Sequence, residues 1–322
     1  MSPSVSFIIP VRNDARRLRR CLETVRATAA DVSSEIIVAD NGSTDDSARV
    51  AAEAGAVVIS LPDRPVADVR NQAAARARGE YLAFVDADHE LDRGWSSAAM
   101  PALSDRSVDA VGAQYHGPPD GTWVQRAYDR LRRHRPGDHA VGWLPSGNLI
   151  IRRATFERLG GFDATLETCE DVDLCQRLTS GGGRIMALDG MRSVHLGDPA
   201  TLGALFGGEL WRGRDNLRVS LRVPLTLRSA PSVALPILTL LAMMAVVAGI
   251  VTGPFGGWPL AVAGAAWIIL LALARAIALT WLGTPANHAI TALLETWIVA
   301  LVYDIARALA LISRSGHSVR RR

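Results

Sequence analysis

Four short apolar runs alternate with three stretches of helical spacing at the start of this chain. Only buried strands covered by helices satisfy that pattern. The runs are Val5–Ile9, Glu35–Ala39, Ala56–Ile59 and Tyr81–Val85. Between them the spacing predicts helices over Asp14–Ala29, Thr44–Ala54 and Val66–Arg78, the first with Leu18, Leu22 and Val25 on one face and arginines on the other. Short strands separated by amphipathic helices give an α/β fold with a mostly parallel sheet. In such a sheet ligands bind beyond the carboxyl ends of the strands. Three of the four runs end in polar clusters, Pro10–Asn13, Asp40–Ser43 and Asp86–Asp88, which must all reach the same rim.

The pattern then loosens. It predicts strands near Val108–Tyr115, Asn148–Ile151 and Arg184–Leu188, a basic helix near Trp123–His134 and a helix over about Asp171–Leu178. Beyond Asn216 the composition changes: only Glu295 and Asp304 are acidic, against nine arginines, out of 32 acids and 35 basic residues in all. An acidic body is thus joined to a basic, apolar tail. Val233–Thr252 carries no charge and Trp258–Leu282 only Arg275, and each reaches the roughly 20 residues that cross a bilayer. We expect a catalytic domain over residues 1–216, a basic interfacial linker over 217–232 and a membrane region over 233–322, with spans at 233–252 and 258–282. Residues 288–312 form either an interfacial helix or a third span. Two spans plus one interfacial helix keep the linker and Arg320–Arg322 on the same side, as the positive-inside tendency favours.

The arginines lie beside apolar runs rather than in a soluble basic stripe, which argues against nucleic acid as a partner. Cys21, Cys169 and Cys175 form neither a disulfide framework nor a zinc pattern. Ser4–Pro10 is too short for the core of a signal peptide, so the expected location is the cell's inner membrane with the body in the cytoplasm. No G-x-G-x-x-G follows the first strand and no P-loop appears, against a nucleotidyltransferase or dinucleotide oxidoreductase on a similar sheet.

The segments "IIPVRND", "VADNGSTDDS", "RNQAAARARGEYLAFVDADHEL" and "GGFDATLETCEDVDLCQRL" occur in this order. Together they resemble the motifs of the family 2 glycosyltransferases, inverting enzymes with a GT-A fold, over roughly residues 4–200. The resemblance implies a nucleotide-sugar donor, either UDP- or GDP-linked, and a divalent cation, Mg²⁺ or Mn²⁺. A carboxylate pair holds a diphosphate only through such a cation, whose hard charge suits oxygen ligands. The resemblance makes Asp88 the metal ligand, with Asp86 near ribose or metal. It places Asp40, Pro10 and Asn13 around the nucleotide base, and Arg70 and Asn71 where the family reaches the nucleotide. Ala73 stands where the family often has Gly, which weakens that last correspondence.

Glu170 and Asp171 open a predicted helix. The reaction needs a base for the acceptor hydroxyl, and the resemblance assigns it to Asp171, with Asp173 and Glu170 as the neighbouring acids. Both acids at a helix start also simply complement the helix dipole. His195, in "SVHLGD", resembles the late His that completes the metal shell in some members; the other six histidines stand in no comparable context. Trp143–Asn148 lies where the family builds its acceptor site, and Trp211 and Arg212 precede the membrane segment, where packing or interfacial anchoring is the plainer role. A long apolar tail points to a lipid or lipid-linked acceptor. Two other readings stay open: a nucleotide-binding membrane scaffold without catalysis, and a subunit of a processive polysaccharide synthase.

Overall fold

A computed structural model describes residues 4–132, 135–227, 229–280 and 289–313. Arg228, residues 281–282 at the end of the second expected span, His288 and Arg320–Arg322 lie outside the described residues, as does His134 at the end of the predicted basic helix. The chain forms two compact units. The first runs to His116 and resumes over Arg135–Gly197; the second takes the intervening residues from Gly117 and the chain from Asp198 onward.

The first unit opens with β1 (Val5–Val11), α1 (Ala15–Thr28), β2 (Ser34–Asp40), α2 (Ser47–Glu53), β3 (Val57–Ser60), α3 (Val66–Ala74) and β4 (Tyr81–Val85). After these come β5 (His89–Leu91), α4 (Trp95–Ser104) and β6 (Ala110–Gly112). The second unit contributes α5 (Trp123–Leu131), and the first resumes with β7 (His139–Val141), β8 (Asn148–Arg152), α6 (Arg153–Arg158), α7 (Glu170–Ser180), β9 (Ile185–Ala187) and β10 (Ser193–His195).

Eight strands form one sheet in the order β3-β2-β1-β4-β8-β6-β9-β7. The first four are parallel, as the alternation predicts; β8 enters antiparallel between β4 and β6. The side-chain period of two divides β1 between two cores. Val5, Phe7, Ile9 and Val11 pack with Leu18, Cys21, Leu22 and Val25 of α1 on one face. Ile8 faces the other side with Ala67, Val69 and Ala73 of α3 and Leu174 and Leu178 of α7. Each fully buried aliphatic or aromatic side chain contributes about 1.5–3 kcal/mol by leaving water, which is why the strands read as nearly continuous apolar runs.

Parallel pairing fixes the rim. Val11 lies opposite Asp40 and Phe84 opposite Ile8, so β1, β2 and β4 all end on one edge. Because β8 runs the other way, its first residue, Asn148, pairs with Val85. The loop before β8 therefore reaches the same edge. A second, two-stranded sheet pairs β5 with β10 antiparallel, with His89 directly opposite His195.

The second unit comprises α5, α8 (Leu202–Arg212), α9 (Asn216–Ser220), α10 (Ala230–Val251), α11 (Trp258–Thr280) and α12 (Ala289–Ala310), with a 3₁₀ turn at Gly253–Phe255. Three of these helices, α10, α11 and α12, are long and apolar enough to cross a membrane. The amphipathic α5 starts with a capping box in which Thr122 and Gln125 satisfy each other's backbone amides. Its apolar face, Val124, Ala127, Tyr128 and Leu131, packs with Leu205 of α8 and Val299 and Ala300 of α12.

The charges on α12 are all engaged across helix interfaces. Arg130 of α5 donates to Thr296 Oγ1 and to Glu295 Oε2, each at 2.8 Å. Glu209 of α8 accepts from Tyr128 Oη at 2.6 Å and from Arg307 Nε at 2.8 Å. Asp304 accepts from Arg275 of α11 at 2.6 Å. Asp304 and Arg307, whose spacing suits a pair along the helix, thus each reach a different neighbouring helix.

Candidate active site

The rim gathers acids and bases from the ends of β1, β2 and β4, from the β5–β10 sheet and from the start of α7. Asn13 sits just past β1 with φ of 53°, a left-handed conformation that Asn tolerates. Its Oδ1 accepts from Thr44 N at 2.7 Å, and its own N donates to Ser43 Oγ at 2.9 Å. These bonds lock the β1 and β2 loops together beside Pro10. Asp40, the last residue of β2, is buried and caps the turn by accepting from Ser43 N at 3.1 Å.

Arg70 forms the centre of the arrangement. Its side chain is only 4% exposed, with Nη2 2.6 Å from Asp86 Oδ1 and Nη1 2.7 Å from Glu170 Oε1. A buried guanidinium is tolerated when its charge is paired, and here both terminal nitrogens are engaged by carboxylates. Here it joins the acid after β4 to the acid that opens α7. Asn71, the next residue, turns to structure: its Nδ2 donates to Phe162 O and its Oδ1 accepts from Phe162 N. Gly161 makes that clamp feasible, because its φ is 75° and a Cβ there would lie 2.6 Å from Asn71 Oδ1.

Asp171 follows Glu170 on α7. Its Oδ1 accepts from Val172 N at 2.8 Å and its Oδ2 lies 3.4 Å from Ser146 N, in the loop before β8. The carboxyl is only partly accessible and ringed by protein. Burial, and then the neighbouring Glu170 charge, push its pKa up to about 7, against the opposing pull of the Val172 amide and Arg70. Asp173, by contrast, is buried and held by Arg177 at 2.8 Å. Within the expected acceptor segment, Trp143 is exposed. Asn148 is a buried node that accepts from Trp95 Nε1 and donates to the Ala113 and Met191 carbonyls. In the second unit, Trp211 is exposed and Arg212 pairs with Glu209.

Asp88 faces His195, whose Nε2 lies 3.1 Å from Asp88 Oδ2, while Arg17 Nη1 approaches the same oxygen at 3.4 Å. Burial works against the Asp88 charge. The His195 hydrogen bond, the charges of His195 and His89, and Arg17 outweigh it and hold the carboxyl well below its ordinary value. The β5–β10 pairing adds a residue that sequence context did not single out. His89 is buried, its ring centroid 4.9 Å from that of His195, and Tyr115 packs edge-on against both. Donor atoms of Asp88, His89 and His195 all lie within 4.8 Å of one another. Gly197 closes this space without filling it: a Cβ there would collide with Asp88 Oδ2 and come within 2.9 Å of His195 Nε2. One carboxylate and two imidazoles around a cradle that only Gly leaves open fit a divalent cation.

A mixed sheet with its acids on the carboxyl rim, an Asp-x-Asp turn and a buried acidic helix start define a GT-A nucleotide-sugar fold. Residues 6–160 match the model of Glycosyl transferase family 2, and the chain carries a domain of that family. Among curated relatives, it is 31% identical over 196 residues to the pre-mycofactocin glycosyltransferase of Mycobacterium tuberculosis, a match covering 56% of this chain and 40% of that protein. The chain thus matches less than half the length of that relative. It is 27% identical over 247 residues to glycosyltransferase AglE of Haloferax volcanii, covering 73% of this chain and 80% of AglE. In three dimensions it is similar to the mannosyltransferase PcManGT of Pyrobaculum calidifontis, solved with GDP-Man and Mn²⁺. That likeness has a TM-score of 0.61 at 18% identity and spans 96% of this chain and 87% of that one.

Proposed function

We propose that this chain is an inverting glycosyltransferase that moves a sugar from a UDP- or GDP-sugar to a lipid or lipid-linked acceptor at the cytoplasmic face of the inner membrane. The observation that carries the reading is the Arg70 bridge. One guanidinium joins Asp86, beside the expected diphosphate site, to Glu170, beside the expected base. Two acid groups of distinct roles are thereby held in fixed relation, as a displacement at one carbon requires.

Each residue then has a task. Pro10, Asn13 and Asp40 line the nucleotide pocket, with Asn13 and Asp40 stiffened by their loop hydrogen bonds. Asp86 faces the ribose or the cation from a position set by Arg70, and Asn71 supports the wall through Phe162. Asp88 and His195 would hold Mg²⁺ or Mn²⁺. When bound, the cation neutralises the diphosphate and favours its departure. Asp171 takes the proton from the acceptor hydroxyl as that oxygen attacks the anomeric carbon opposite the leaving nucleotide. Its raised pKa makes it a stronger base than an exposed Asp, close to a neutral working pH. The donor class is supported by the fold neighbour, which was solved with a nucleotide-sugar and Mn²⁺.

The acceptor class rests on the tail. The helical unit resumes at Asp198, three residues after His195 in sequence, and holds three helices of membrane-crossing length. Arg218 and Arg222 in the linker suit anionic headgroups. The test is to incubate purified protein with labelled nucleotide-sugars and extracted membrane lipids, and separately with water-soluble acceptors. Label in the organic phase, lost in excess EDTA and in Asp88→Ala, is the expected result. Label in soluble product alone would refute the lipid acceptor, and full activity in EDTA would refute the cation.

A further inference from the structure

We propose that His89 is a third protein ligand of the catalytic cation and that it biases the site toward Mn²⁺ over Mg²⁺. The inference rests on the metal-dependent reading above and goes beyond it by adding a ligand and naming the ion.

Four observations converge. First, the β5–β10 ladder sets His89 directly opposite His195, so two imidazoles meet on one side of a two-stranded sheet. A three-residue strand gains little from its backbone bonds alone; placing two ring donors beside Asp88 gives this pairing a purpose. Second, the His89 ring is oriented. Its Nδ1 lies 3.3 Å from Ser193 Oγ, on the partner strand. A ligating His typically gives one ring N–H to such a partner and offers the other nitrogen to the metal. With Nδ1 facing Ser193, Nε2 is the ring nitrogen turned to the other side.

Third, Nε2 borders the same small space as Asp86 Oδ2. A Cβ added to Gly147 would lie 3.0 Å from His89 Nε2 and 2.6 Å from Asp86 Oδ2, so this Gly keeps open a space shared by the imidazole and the first acid of the Asp-x-Asp turn. Gly197 does the same between Asp88 and His195. Fourth, the ring cannot swing away: His89 is 1% exposed, and Tyr115 packs against both imidazoles at centroid distances of 4.9 and 4.8 Å. The simpler role, a histidine that merely ties β5 to β10 through Ser193, accounts for Nδ1 but not for the glycine-lined space at Nε2.

The choice of ion follows from donor chemistry. Mg²⁺ demands a nearly ideal oxygen octahedron and prefers to keep its waters. Imidazole donors favour first-row transition ions over Mg²⁺, and of the two expected ions only Mn²⁺ is one.

The experiment counts nitrogens. Pulsed EPR on the full chain in detergent, loaded with Mn²⁺ and GDP or UDP, resolves couplings from coordinated imidazoles. Two are expected in the wild type and one in either His89→Ala or His195→Ala. Calorimetry should show Mn²⁺ affinity falling about tenfold or more in His89→Ala while the weaker Mg²⁺ affinity changes little, and falling about 10–100-fold in Ser193→Ala. A wild-type spectrum with one nitrogen, lost only in His195→Ala, overturns the role of His89 and leaves the metal reading intact. Absence of any Mn²⁺ binding with either nucleotide overturns the metal reading itself. The wild-type nitrogen count decides between these outcomes even if a variant fails to fold.

Discussion

At the scale of the residue, the pair Glu170 and Asp171 divides one task. In the mechanism proposed above Asp171 takes the proton, and Glu170, paired with Arg70, is the neighbouring charge that adds to burial in raising its proton affinity. Asp171→Asn should retain donor binding and lose about 10²–10⁴-fold in rate, the usual contribution of a general base. A base works only when deprotonated, so activity should rise as pH rises through about 7. In Glu170→Gln the like charge is gone and Arg70 loses a competing partner. Both effects lower the Asp171 pKa, so the acid limb should move down by about one unit or more. Initial rates of nucleotide release between acid and neutral pH measure this directly. An unmoved limb would place the titrating base elsewhere.

At the scale of the element, α12 is the helix whose role the charges decide. Its Glu295 and Thr296 are bound by α5 and its Arg307 by α8, positions eleven or more residues apart along the helix. At 1.5 Å per residue that is about 17 Å of α12 covered by α5 and α8, with a polar contact at each end. Such cladding suits an interfacial helix better than one surrounded by lipid, although its length alone would permit a crossing. A reporter fused after the last residue should therefore read cytoplasmic; a periplasmic reading would make α12 a third span. The rim of the sheet was legible in the sequence because strand ends there carry Pro and Asp after apolar runs. The elements that were not legible are short or distant. β5, β7 and β10 have three residues each, too few for a period to emerge, and β10 finds β5 more than a hundred residues away. His89 was missed for that reason: its neighbour across the ladder, not its neighbour in sequence, gives it a context. The sequence singled out Arg70 for the nucleotide site by resemblance, but its contact with Glu170 on α7 was not legible, since no local pattern encodes a contact of that separation.

At the scale of the whole molecule, the chain leaves the α/β unit after His116, contributes α5 to the helical unit, and returns at Arg135. Ribosomal synthesis makes α5 long before α8 and α12, so its apolar face, including Tyr128 and Leu131, emerges with no native partner. During that interval the nascent α/β unit carries a sticky flap, and the interval ends only when α12 has been made. A chain ended at residue 216, where a sequence-based boundary falls, would keep α8 but lack α12, and so would leave permanently uncovered the part of this face that meets Val299 and Ala300. It should precipitate or bind detergent and vesicles although all of its sheet is present, as sedimentation with and without liposomes would reveal. Replacing Val124, Tyr128 and Leu131 with polar residues in that shortened chain should restore solubility. If the unmodified truncation proves monodisperse without lipid, α5 does not need its late-made partners. The inserted helix thus sets a waiting time in biogenesis, from the making of α5 to that of α12.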